Sequence, residues 1–62
     1  LNEQKYAEIA ARRAMLEKQI GEGAFIRGAW DDLIAECYEF GFASIAGALS
    51  KRANAYQEMF TE

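Results

Sequence analysis

The sequence predicts an all-α chain of three helices, packed as a homodimeric helical bundle. Apolar residues recur at alternating spacings of three and four, the repeat that lines up side chains on one face of a helix. Proline is absent while alanine occurs twelve times, a composition that favours helix throughout. The apolar repeat changes phase at Gly41, and a pair of glycines separates it from an earlier one of the same kind.

The first stripe runs through Tyr6, Ile9, Arg13, Leu16 and Ile20 and predicts a helix over residues 3–20, with Asn2 placed to cap its start. Glu8 precedes Arg12 by four residues, the favourable order for a helical ion pair. Arg13 interrupts the stripe; it either reaches a carboxylate of the second helix or lays its stem along the core edge with its guanidinium in water. The helix is expected to stop at "GEG", with Gly21 taking the left-handed conformation and Gly23 relaxing the turn.

The second stripe, Ile26, Trp30, Leu33, Cys37 and Phe40, predicts a helix over residues 24–40. Phe25, Ala29, Ile34 and Tyr38 flank it, and at about 100° per residue the apolar arc covers roughly 220°, twice what one buried face needs. Such a surface exceeds what two companion helices comfortably cover, which is the reason for expecting a second copy. In that arrangement Trp30, Ile34, Cys37 and Tyr38 join helix two to its mate, and Phe42 and Tyr56 close the ends of the core. Trp30 serves equally well as an interface anchor or an ordinary core residue.

Past Gly41 the same stripe would continue through Ser44, Gly47, Lys51, Asn54 and Glu58 and turn a polar row inward. A new stripe at Phe42, Ala46, Leu49, Ala53, Tyr56 and Phe60 instead predicts a third helix over residues 43–60, with Ser44 as a cap if it starts slightly later.

A single domain, 1–62, of this length buries only about 60% of the surface its unfolded chain exposes, so help from outside the chain is expected. One cysteine closes no intrachain disulfide, and with no histidine there is no ordinary zinc set. Oligomerisation remains. No apolar run approaches the roughly 20 residues of a membrane span, and the charged first segment does not read as a signal peptide. No membrane, metal or cofactor partner is expected.

The net charge is −3, which disfavours unspecific binding to nucleic acid. The charge is uneven: residues 21–40 hold one basic and five acidic side chains. Asp31, Asp32, Glu36 and Glu39 read either as an acidic face for a basic partner or as a solvated helix side. Cys37 reads as a small buried hydrophobe, since no histidine stands by to activate it. A histidine-activated nucleophile is excluded, and "GEG" is too short to cradle a phosphate, so no enzyme is expected.

A nucleic-acid alternative lies in "FGFASIAGALSKRANAY", which can be laid on the helix-turn-helix pattern of phage Cro-like repressors: Gly41 before the first helix, Ala46 where two helices cross, Leu49 before the turn. Lys51 and Arg52 would then touch phosphates, and Asn54 and Gln57 base edges. Ser50, Lys51 and Tyr56 depart from that pattern, and Glu58 and Glu62 oppose the basic pair.

From "LNEQKYAEIAARRAML" to "SKRANAYQEMFTE", in size and alanine-rich helical texture, the chain resembles the small accessory proteins that lambdoid phages encode between their exonuclease and excisionase genes. The resemblance implies a cytoplasmic protein made early in infection, which regulates the takeover of a bacterial cell in favour of lytic growth by binding host or phage proteins. It assigns a role to no individual residue.

Overall fold

The computed structural model describes residues 2–61, Asn2 by its backbone alone; the Asn2 cap and Glu62 lie outside the described residues. Three helices follow one another: α1 (Asn2–Gly21), α2 (Arg27–Glu39) and α3 (Ala43–Phe60). No strand occurs among the described residues.

Both connections are glycine-terminated helix ends of one kind. At the end of α1, Ala24 N–H donates to the Gln19 carbonyl at 2.8 Å and Gly23 N–H to Ile20 at 3.0 Å. At the end of α2, Phe42 N–H donates to the Cys37 carbonyl at 2.7 Å and Gly41 N–H to Tyr38 at 3.2 Å. This double bonding satisfies the last carbonyls of a helix only when the residue between is left-handed, and Gly23 and Gly41 are so, at φ 86 and φ 85. The expected left-handed residue at Gly21 is thereby corrected: Gly21 is the last helical residue, because the bonding pattern needs its glycine two positions further on.

That choice moves the start of α2. Residues 24–26 are outside any helix after the turn, with Ile26 extended at φ −114 and ψ 97 as N-cap, so α2 begins at Arg27 rather than residue 24. Phe25 and Ile26 leave the helical arc, which is narrower than the periodicity predicts. Phe25 folds back into an aromatic cluster with Trp30, Tyr56 and Phe60, its ring centroid 5.8 Å from that of Phe60. Ile26 stays 53% exposed. At α3 the N-cap is Phe42, without a side-chain cap bond. Ser44 therefore lies inside the first turn and caps nothing.

The core consists of Ile9 and Leu16 from α1, Trp30, Leu33 and Cys37 from α2, and Ala46, Leu49 and Ala53 from α3. α2 and α3 pack closely against each other, and α1 lies more loosely on α2. Two alanines among the three α3 core positions let the α2 and α3 backbones approach. α1 reaches α3 through side chains: Tyr6 meets Phe42 with ring centroids 5.9 Å apart, and Tyr56 Oη donates to Glu17 Oε1 at 2.8 Å. The polar row Ser44, Lys51, Asn54 and Glu58 faces outward, as the change of phase at Gly41 requires.

Candidate functional surfaces

The breadth of helix two is absorbed largely within the chain. Trp30, Leu33 and Cys37 are buried by α1 and α3, and Trp30 is only 1% exposed. Trp30 and Cys37 thus take the core placement of the two that the sequence leaves open, in one cluster with Ile9 and Leu16 of α1. Ile34, Phe42 and Tyr56 are half-buried against the same core. Tyr38, Phe40 and Ile26 alone of the expected interface set are exposed, Tyr38 at 60%. Phe40 is partly covered by a cation, with Lys5 Nζ 4.5 Å from its ring centroid.

The acidic residues separate in the structure. Glu36 is a clasp between helices, accepting from Lys5 Nζ at 3.2 Å and from Arg12 Nη1, both on α1. The Arg12 guanidinium first, and then Lys5, holds the Glu36 carboxyl below the usual carboxylate range, while Glu36 in turn raises Lys5. Arg12 is thus drawn across to α2 instead of pairing with Glu8, which bonds Lys5 at 3.3 Å. Asp31 is held by Arg27 one turn away at 3.1 Å. Of the four acidic side chains expected to form one face, only Asp32 and Glu39 have no ion pair among the described residues.

On the opposite flank, Glu17 accepts from Arg52 Nη1 at 3.0 Å and from Tyr56. This engages one of the two basic side chains of the nucleic-acid alternative. That alternative also needs a turn near Ser50, and α3 runs unbroken from Ala43 to Phe60. The two-helix unit within residues 42–60 does not form. Leu49 and Ala53 sit one helical turn apart and are both fully buried, so a turn between them would break the face that holds α3 to the core. Lys51, Asn54 and Gln57 are exposed on this one helix.

The stripes give no sign of one further feature, an open groove of about 280 Å³ between α1 and α3. Ile9, Ala10, Ala14 and Ile45 form its apolar lining, Tyr6 stands beside it, and Arg13 and Glu17 supply its charge. Aromatic and polar contacts tie α1 to the α3 side on either flank of it, the Tyr6–Phe42 pair near one end and the Glu17–Tyr56–Arg52 cluster near the other. Ala10 and Ala14 are too small to fill the space between. Arg13 reaches no carboxylate among the described residues and lies half-buried along the groove, the second of its two expected placements. A second, smaller depression of about 200 Å³ lies between α1 and α2, beside Met15 and Ala29.

Burial raises the pKa of the Cys37 thiol, and its sulfur is free. No helix of the described residues is long and apolar enough to cross a membrane. No family model, curated protein or solved structure matches the chain.

Proposed function

We propose that the protein is a small helical binding protein that acts without catalysis, as a homodimer that engages a host or phage protein. The observation that carries this reading is the open apolar groove between α1 and α3. Single exposed apolar side chains are ordinary on any protein surface. A groove whose wall and floor are contiguous, with the 53%-exposed Tyr6 ring beside it, is the kind of surface that partners cover.

The whole-chain resemblance to lambdoid phage accessory proteins supports a setting in the bacterial cytoplasm during infection, where the protein would favour lytic development. Sedimentation velocity over a wide concentration range tests self-association, with a concentration-dependent dimer expected. A species that stays monomeric at the highest concentration would remove the homodimer from the reading.

A further inference from the structure

We propose that two copies associate through the α1/α3 side of the molecule, their α1 helices running antiparallel about a two-fold axis near Ala10. The inference rests on the self-association reading above and gives it a surface and a geometry.

Charge decides between the available faces. A two-fold contact brings each residue of a patch near the same patch on its mate. The outward side of α2 carries Asp32 and Glu39, both exposed and without an ion pair among the described residues, while Asp31 is held by Arg27. Two such faces would set carboxylates against carboxylates, a like-charge contact that opposes association. On α1, the groove's own acid, Glu17, is already neutralised by Arg52 and hydrogen-bonded by Tyr56. Glu3 near one end of α1 and Lys18 near the other are exposed and have no ion pair among the described residues.

Antiparallel α1 helices crossing near Ala10 set Glu3 opposite the partner's Lys18, and symmetry repeats the pair. Parallel helices would set each charge against its own kind. Between the charged ends, Ala7, Ala10 and Ala14 are exposed and allow close approach of the two backbones, while Tyr6 of each copy lies beside the groove that the other copy covers.

The available area fits. The Cα trace measures 41 × 18 × 15 Å, so a side along its length offers on the order of 600–700 Å², somewhat below the roughly 800 Å² per partner of a standard interface. The groove lies between α1 and α3, so the contact would cover apolar surface that the single chain leaves wet.

The test is sedimentation equilibrium on the full chain and four variants. The wild type should dimerise, and added salt should weaken the dimer. Ala14→Glu should raise the dissociation constant about tenfold or more by placing a carboxylate in the apolar contact. Glu3→Lys and Lys18→Glu should each weaken association, and the double reversal should restore it. Ala35→Glu, on the outward side of α2, should change nothing.

Helical circular dichroism should be unaltered throughout, since every substituted side chain is exposed. A monomeric wild type would overturn the self-association reading and this interface with it. A wild-type dimer weakened by Ala35→Glu but indifferent to Ala14→Glu, or a double reversal that fails to recover, would overturn the interface alone.

Discussion

The Trp30 indole on α2 meets the Tyr56 ring on α3 edge-on, with centroids 5.5 Å apart and planes at 60°. The Tyr56 hydroxyl then crosses to Glu17 on α1, so two adjacent rings tie all three helices together. Truncating the fully buried member should be severe: Trp30→Ala is expected to cost about 3–5 kcal/mol. Urea denaturation would show a lowered midpoint or a chain unfolded in buffer. Tyr56→Phe keeps the ring contact and loses the bond to Glu17, so its cost should stay near 1 kcal/mol. Equal losses in the two variants would contradict this division between packing and polar linkage.

The Glu36 clasp makes α1 docking dependent on pH in a defined direction. Its folded-state pKa lies below the ordinary value near 4.5, so its contribution to stability is present above that value and is lost as pH falls through the folded pKa. Lys5 is shifted up from 10.5, so its contribution is complete below that pH and disappears as pH rises through the raised value. Thermal melts should show the wild type losing stability below about pH 4.5, and Glu36→Gln losing less over the same interval. A wild type and variant with parallel melting profiles would exclude the clasp.

The two left-handed glycines should respond oppositely from the helical one. Gly41→Ala forces a Cβ into φ 85, which should destabilise by about 1 kcal/mol or more. Gly47 lies inside α3, and a Cβ there meets nothing within 4 Å. Gly47→Ala should therefore stabilise by about 0.5–1 kcal/mol through helix propensity alone. Denaturant midpoints moving in opposite directions would confirm the assignment.

Cys37 should behave as a core residue under chemical challenge. Burial raises its pKa and its side chain is inaccessible, so a thiol reagent near neutral pH should react at the rate of opening rather than of free thiol. Rapid, stoichiometric labelling of the folded protein would place the thiol at the surface instead.

Several features were legible because short-range physics sets them. Three apolar repeats, and glycines between them, are enough to define three helices, since helical spacing and glycine's freedom at positive φ are local properties. Leu33, Cys37, Ala46, Leu49 and Ala53 could be placed in the core for the same reason. Phe25 and Ile26 could not be read this way: their spacing suits a helix, but the turn built on Gly23 leaves them ahead of it, and only Phe25 finds aromatic partners. Nor does local sequence reveal that Glu36 serves two α1 cations, because the bonded residues stand 24 and 31 positions away.

The groove shows the division most clearly. The chain alone determined the number of helices, their boundaries near Gly41, and the small size of Ala10 and Ala14. Only the tertiary structure decided that these alanines lie opposite Ile45 with open space between, because helix spacing depends on which side chains happen to bridge two elements. It decided in the same way that Trp30 is buried within the single chain while Ala7, Ala10 and Ala14 of α1 stay exposed, since burial is a property of neighbours in space and periodicity reports only a face.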